Sequence, residues 1–155
     1  MRTSTAVLLA GASIAAVGVA GLMQRDRHHK QGNDVVLSAI QIEWLSAVST
    51  NQELAEIWAP DDMNATTYMG LMSANRMACQ LSLRDRLGLV SDRQLRFYAD
   101  SLAKTKAFRD YMRKFGSDRA EEAVGDKRAS RLTSVLIDAA AAFTEAGSLN
   151  DCLEP

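Results

Sequence analysis

Proline, cysteine, histidine and aromatic residues are all scarce in this chain. Its 155 residues include two prolines, two cysteines and two histidines, and aromatics make up 6%. Few helix breakers, together with many Ala, Leu, Met and Arg, favour helices over strands. No sustained alternation of apolar and polar residues marks a strand. The length suits one domain with a real core, so an all-α domain is predicted.

Histidine and the common nucleotide- and metal-binding motifs are missing from the body of the chain. His28 and His29 are the only histidines, so no Ser-His or Cys-His pair can form beyond residue 29. Neither GxxxxGK[ST] nor GxGxxG occurs, and there is no HExxH metal pattern. The carboxylate pairs Asp61-Asp62 and Glu121-Glu122 are typical of caps and solvated charge. We therefore expect no enzymatic activity, no cofactor and no metal.

Cys79 and Cys152 are too few for a disulfide framework. Cys79 falls on an apolar helical stripe and is expected to be a small buried residue, whereas Cys152 lies in the polar tail. Whether the two ever pair is left open by the sequence.

Opposite charges are segregated along the chain, although the net charge is only −1. Residues 31–75 contain six acids and no Lys or Arg, residues 76–131 contain fourteen basic and eight acidic groups, and only acids follow Arg131. Such blocks usually pair with each other across helix faces. The alternative is a basic face directed at anionic lipid or nucleic acid.

An uncharged segment, Ala6 to Met23, stands near the N-terminus. Its 18 residues would span about 27 Å as a helix, enough for a thin hydrocarbon core. It is interpreted as a single-pass membrane anchor or, alternatively, as a cleaved secretory signal with a site near Gly18-Val19-Ala20. Arg25, Arg27 and Lys30 favour the anchor with the domain in the cytoplasm; the alternative is a secreted protein.

The sequence predicts four regions. Residues 1–24 form the membrane anchor or signal peptide, residues 25–33 a juxtamembrane linker, residues 34–147 the helical domain and residues 148–155 an acidic tail.

The helical domain begins with two short helices. In the first, Leu37, Ile40, Trp44 and Val48 recur at helical spacing and predict one buried face. Asn51 is placed to cap the second, which must end before Pro60 because the residue preceding a proline is pushed out of the helical region.

A longer helix is predicted over residues 66–87, ended by Gly88 in the left-handed conformation. Asn75 falls within its apolar stripe. A buried polar group without a hydrogen bond costs roughly 1–3 kcal/mol, so Asn75 must have a partner. It either fixes the helix register through a structural hydrogen bond or offers a ligand-contacting amide in a groove.

Local signals divide the remainder of the domain. Ser91 to Gln94 forms a capping box. The helix it begins either breaks or continues around Thr105, and the next apolar stripe is predicted to end at Gly116. Gly125 interrupts the chain again, and the last helix is expected to end near Gly147.

Basic residues flank the Gly88 turn and follow it. Two helices joined by a short turn with basic flanks can suggest a helix-turn-helix. The pI of about 6.1 and the acidic first half of the domain argue against a broad phosphate-binding face, so nucleic acid is not expected as a partner. The candidate interaction residues are Asn75, Arg86, Arg93, Arg96, Arg109 and Arg113.

Several of these segments together resemble a known family. The run from Leu37 to Trp58, with Asn51-Gln52-Glu53-Leu54-Ala55-Glu56-Ile57-Trp58 at its end, is similar to the actinobacterial domain-of-unknown-function family 6082. The order that follows is similar too: a helix with Ala74-Asn75, the Gly88 turn into Ser91-Asp92, and Phe108-Arg109-Asp110-Tyr111. The resemblance covers about residues 33–143. It implies a small helical protein, often with an N-terminal hydrophobic segment, and transfers no catalytic residue.

The expected fold is an all-α compact bundle of five to six helices preceded by one N-terminal transmembrane helix. The expected function is a membrane-anchored, non-catalytic protein-interaction or regulatory module, with a protein partner that binds in a helical groove or on the basic face near Arg93. The alternative is a helical regulator that binds a small ligand or nucleic acid. The predicted core comprises Trp44, Trp58, Tyr68, Leu71, Leu83, Leu95, Tyr98, Phe108, Tyr111, Leu136 and Phe143.

Overall fold

A computed structural model describes the backbone of residues 32–151 and the side chains of residues 32–143. The chain divides into two units, Met1–Ala39 and Ile40–Pro155. In the first, the described residues 32–39 form the beginning of helix α1. The bundle of helices belongs to the second unit.

The described residues form six helices and no strand, which confirms the predicted all-α class. In chain order they are α1 (32–50), α2 (Gln52–Trp58), α3 (Ala65–Arg86), α4 (Asp92–Ala103), α5 (Lys106–Glu122) and α6 (Lys127–Asp151). Helix α3 packs against α2, α4, α5 and α6, and α6 also packs against α4 and α5. The core of the bundle therefore lies around α3 and α6.

The predicted fold class needs one correction, which concerns the transmembrane helix. Among residues 32–151, no helix is both long and apolar enough to cross a membrane. The segment Ala6–Met23, on which that prediction rested, lies outside the described residues, as does Cys152. The architecture that the structure supports is an all-α bundle without a membrane-spanning helix in its described part.

Capping residues and a glycine place several helix ends where the sequence predicted them. The Asn51 side chain accepts a hydrogen bond from the Leu54 amide at 3.0 Å and begins α2. Ser91 and Gln94 form the predicted capping box of α4. Gly88 has a φ of 71°, a left-handed conformation that suits glycine because it has no Cβ. The chain breaks at Thr105, where α4 gives way to α5.

The predicted helix end at Gly116 is wrong. Helix α5 continues through this residue to Glu122, and Gly116 is buried against α6. A Cβ placed on it would lie 3.6 Å from Ile137 Cγ1, an ordinary contact distance, so the packing of α6 leaves room for alanine at this position. Gly125, with a φ of 91°, is the glycine that separates α5 from α6. The backbone of α6 then runs to Asp151, beyond the predicted end near Gly147.

The predicted core is confirmed in its centre and wrong at three aromatic positions. The buried members are Tyr68, Leu71, Leu95, Phe108, Tyr111 and Leu136, whereas Leu83 and Tyr98 are partly buried. Trp44, Trp58 and Phe143 are exposed. The outer aromatics therefore contribute to the surface of the bundle instead of its interior.

Helix α1 buries only one member of the apolar stripe that its spacing predicted. Val48 is fully buried, together with Leu45 from outside the stripe, but Leu37, Ile40 and Trp44 are exposed. Leu45 directly follows Trp44, and one residue turns a helix by about 100°. Most of the predicted stripe therefore lies beside the buried face.

Asp85 is a buried charge that ties the end of α3 to the start of α6. It is 2% exposed, and Arg131 Nη2 lies 2.6 Å from its Oδ1. Arg131 also pairs with Asp92 at the start of α4, and Arg128 Nε lies 3.9 Å from Asp85 Oδ2. A buried carboxylate needs such partners, since an unpaired one costs several kcal/mol (roughly 3–5).

Candidate functional site

Three of the predicted interaction arginines are engaged within the bundle. Arg86 lies 3.6 Å from Asp126 Oδ2, and Arg113 lies 3.1 Å from Asp110 Oδ1. Arg109 donates to the carbonyl of Ala103 at 2.7 Å, satisfying the end of α4. Asp126 and Asp110 belong to residues 76–131, as do the arginines themselves, and Arg109 binds a backbone carbonyl, so these contacts do not join the basic region to an acidic block.

Arg93 and Arg96 are exposed on α4 and make no ion pair or hydrogen bond with the part of the chain that the structure describes. Within that part, no hydrogen bond or ion pair joins any two of the six predicted interaction residues. Their role as a shared site stays a prediction. Asn75 lines a cleft.

Asn75 is the centre of a hydrogen-bonded group that joins α3 to α5. Tyr111 Oη donates to Asn75 Oδ1 at 2.9 Å, and Arg119 Nη1 donates to Tyr111 Oη at 3.0 Å and to Asn75 Oδ1 at 3.3 Å. Cys79 Sγ, one turn along α3, donates to the same oxygen at 3.4 Å. These four residues are called the Asn75 cluster.

The donors of the cluster fix the orientation of the Asn75 amide. A guanidinium only donates hydrogen bonds, so the amide atom facing Arg119 must be the oxygen. The Nδ2 group of Asn75 then faces away from Arg119 Nη1. The hydrogen bonds of Asn75 connect α3 to α5, as the structural interpretation of this residue predicts. The same residue also lines a cleft.

Tyr111 and Cys79 are neutral members of the cluster. Burial raises the pKa of the Cys79 thiol, and the nearby Arg119 offsets only part of this effect. Burial likewise raises the pKa of the Tyr111 hydroxyl. Since both groups keep their protons at neutral pH, they act as hydrogen-bond donors, and Cys79 lacks the thiolate form that a nucleophile needs.

A cleft of about 230 Å³ opens beside the cluster, between α1, α3 and α5. Asn75, Tyr111 and Arg119 form its polar floor. Met72 and Phe115 supply apolar walls, Gln41 borders it from α1, and Asp118 and Glu122 add two carboxylates. We call it the Arg119 cleft.

Sequence analysis missed Arg119 because it predicted a helix end at Gly116. On a continuous α5, Arg119 lies eight residues after Tyr111, about two turns along the same face. This spacing indicates that Arg119 lies near Tyr111, but only if the helix continues through Gly116.

A second feature of the surface is an exposed group of large apolar side chains on α1 and α2. The rings of Trp44 and Trp58 meet edge to face with centroids 5.6 Å apart. Trp44 is 39% exposed, Trp58 54%, Ile40 58% and Ile57 76%. We call these four residues the Trp surface.

Acidic side chains accompany the Trp surface on its own two helices. Glu43 lies on α1, and Glu53 and Glu56 lie on α2; all three are exposed. No Lys or Arg occurs in either helix from residue 32 to residue 58. The charged residues on the two helices that carry the Trp surface are therefore all acidic.

Comparison with known proteins places the chain in a family but gives it no relative of known activity. No curated protein and no solved structure shows significant similarity to it. One family model, described as a family of unknown function (DUF6082), matches residues 1–152. The match extends over nearly the whole chain and agrees with the resemblance of the Leu37–Trp58 run. The chain therefore belongs to the DUF6082 family.

Proposed function

We propose that this protein is a non-catalytic interaction module that binds a protein partner through the Trp surface. The observation that carries the proposal is the exposed, mutually contacting pair Trp44 and Trp58, with Ile40 and Ile57 beside it. Contiguous exposed apolar groups are uncommon on monomeric proteins and mark interaction sites. Tryptophan in particular is enriched among the residues that carry binding energy at interfaces.

The charges around this surface define the chemistry of the partner. Glu43, Glu53 and Glu56 carry negative charge on the helices that present the tryptophans. Complementary charge steers association and selects partners, so the partner would offer an apolar face bordered by Lys or Arg. The same acidic residues disfavour an anionic lipid surface or nucleic acid at this face.

The basic face near Arg93 is less well suited to be the main contact. Arg86, Arg109 and Arg113 are already bound to groups of the bundle. Recruiting them would require those contacts to be broken, whereas the Trp surface is available without rearrangement.

Affinity capture with the full chain from its source cells tests the proposal. The wild type is compared with W44S/W58S and with L89S/F97S, a control that removes two other exposed apolar side chains. We expect a partner that the wild type and the control enrich equally, that W44S/W58S enriches at least about tenfold less, and that added salt releases. Circular dichroism checks that each variant keeps its helices.

Equal enrichment by W44S/W58S, or a partner that binds equally well in high salt, would contradict the proposal. If W44S/W58S loses helicity, Ile57→Glu provides the same test, because this side chain is the most exposed of the four.

A further inference from the structure

We propose that the Arg119 cleft binds a small zwitterion, a molecule with one carboxylate and one ammonium group and the size of an α-amino acid. This site is separate from the Trp surface and does not depend on the proposed protein partner. The inference rests on the charge of Arg119, on its unpartnered Nε atom and on the acidic residues of the cleft.

Arg119 brings a positive charge into a half-buried position without a compensating anion. Within the described residues, no carboxylate lies within ion-pair distance of its guanidinium, and its hydrogen-bond partners Asn75, Tyr111 and Cys79 are neutral. Its Nε atom is buried and has no partner. Removing a charge from water is unfavourable unless an anion or further hydrogen bonds replace the solvent. A bound anionic group would supply this compensation.

The Arg119 guanidinium lies on the floor of the cleft, where such a group would meet it. Its Nη1 atom is already committed to Tyr111 and Asn75, which holds the guanidinium in place. A fixed guanidinium presents its N–H groups in the planar arrangement that suits a carboxylate.

The remaining charges of the cleft select against a simple anion. Asp118 and Glu122 stand on α5 before and after Arg119, and neither forms an ion pair with any described residue. With Tyr111 and Cys79 neutral, the cleft carries one positive and two negative groups. A phosphate would be repelled by the two carboxylates, whereas an ammonium group close to the ligand's own carboxylate would be attracted by them.

The cleft has room for a small ligand, with a volume of about 230 Å³. Met72 and Phe115 form an apolar wall suited to a short aliphatic side chain. Volume, charge and wall together describe a small amino acid.

Amide resonances of the full-length chain, followed by NMR during titration, test this assignment. The probes are glycine, alanine, valine and leucine, compared with acetate, methylammonium and inorganic phosphate, each up to about 10 mM, enough to detect a Kd of about 1 mM. We expect saturable shifts at Asn75 and along residues 111–122 with at least one amino acid. Acetate, methylammonium and phosphate should bind at least about tenfold more weakly.

Variants test which residues bind the carboxylate of the ligand and which bind its ammonium group. Arg119→Met should abolish binding, whereas Arg113→Met, on the exposed side of the same helix, should leave it unchanged. D118N/E122Q should weaken amino-acid binding about tenfold and strengthen acetate binding.

Three results would overturn the assignment: no saturable shift with any amino acid, acetate binding as tightly as the amino acids, or unchanged binding in D118N/E122Q. The last variant alters only exposed side chains, so it remains decisive if Arg119→Met fails to fold.

Discussion

A single oxygen atom of Asn75 accepts hydrogen bonds from three side chains on two helices. Tyr111 and Arg119 reach it from α5, and Cys79 reaches it from α3. The sequence identified Asn75 because a polar residue interrupted an apolar stripe, but two of its three partners, Tyr111 and Arg119, lie far away along the chain. Pattern analysis finds such a residue without finding what satisfies it.

Replacing Asn75 by alanine should destabilise the bundle by about 1–3 kcal/mol, because Tyr111, Arg119 and Cys79 lose their common acceptor. Asn75→Asp should lose less, since a carboxylate keeps the acceptor oxygens and faces the Arg119 charge. Urea unfolding followed by circular dichroism measures both differences. Gln80→Ala, an exposed change on the same helix, is the control and should stay within about 0.5 kcal/mol of the wild type. Equal stabilities of Asn75→Ala and the control would show that the cluster does not stabilise the fold.

The position of Asp85 in the sequence indicates that its side chain is buried. It continues the spacing of Leu71, Ala74, Ala78 and Leu81, all of which are buried on α3. A charge at the next position of a buried series must find a partner, and here Arg131 provides it from α6. The charge blocks of the sequence did not indicate this pair, because Asp85 and Arg131 both lie within residues 76–131.

At the scale of helices, capping residues were predicted more reliably than glycines. Asn51 and the Ser91–Gln94 box act over three or four residues, so the sequence contains the whole interaction. A glycine has no such local partner. Gly88 ends a helix because its φ is positive, but Gly116 lies inside α5 because α6 packs against it.

Gly116→Ala should stabilise the protein by about 0.5–1 kcal/mol. Alanine favours the helical backbone over glycine by roughly this amount, and its Cβ would meet Ile137 at an ordinary contact distance of 3.6 Å. Gly116→Leu should instead destabilise by about 1–3 kcal/mol, because the same space cannot hold a longer side chain. The midpoints of urea unfolding distinguish these outcomes. A loss of stability with alanine would mean that α5 and α6 lie closer than the structure shows.

Asp126 begins α6, where its Oδ1 accepts hydrogen bonds from the amides of Arg128 at 2.9 Å and Ala129 at 3.1 Å. These two bonds hold the pKa of the Asp126 carboxyl below its ordinary value. The unfolded chain therefore takes up this proton first as the pH falls. The stabilisation is complete above the ordinary pKa of about 3.9 and is lost as the pH falls through the lowered value.

Asp126→Asn should therefore be less stable than the wild type at pH 7, and this difference should shrink as the pH is lowered from about 5 to about 2. Asparagine keeps a capping oxygen but has no charge to lose. Thermal unfolding across this range measures the difference, with Asp126→Ala, which removes the cap and should cost about 1 kcal/mol, as the comparison. A difference that does not vary with pH would rule out the carboxylate as its source.

For the whole molecule, the sequence predicted the class and most of the interior but not the outer surface. Helical periodicity shows which apolar residues share a face, and on α1 it grouped Val48 with Ile40 and Trp44, whereas the structure buries Val48 with Leu45. Which stripe becomes buried depends on how the other helices approach, and this is not encoded locally. The same ambiguity hid the Trp surface, because its aromatics were assigned to the core.

All buried core residues of the described chain lie between Leu45 and Ala140. A fragment of residues 32–151 should therefore fold on its own and unfold in one cooperative transition, with an enthalpy near 80 kcal/mol at about 0.7 kcal/mol per residue. A shorter fragment of residues 32–126 should not, because it lacks Leu132 and Leu136 of α6, the helix that packs against α3, α4 and α5. Calorimetry of the two fragments makes the comparison. If the longer fragment melted without a cooperative transition, the hydrophobic core described here would be insufficient to hold the bundle, and residues outside it would have to contribute.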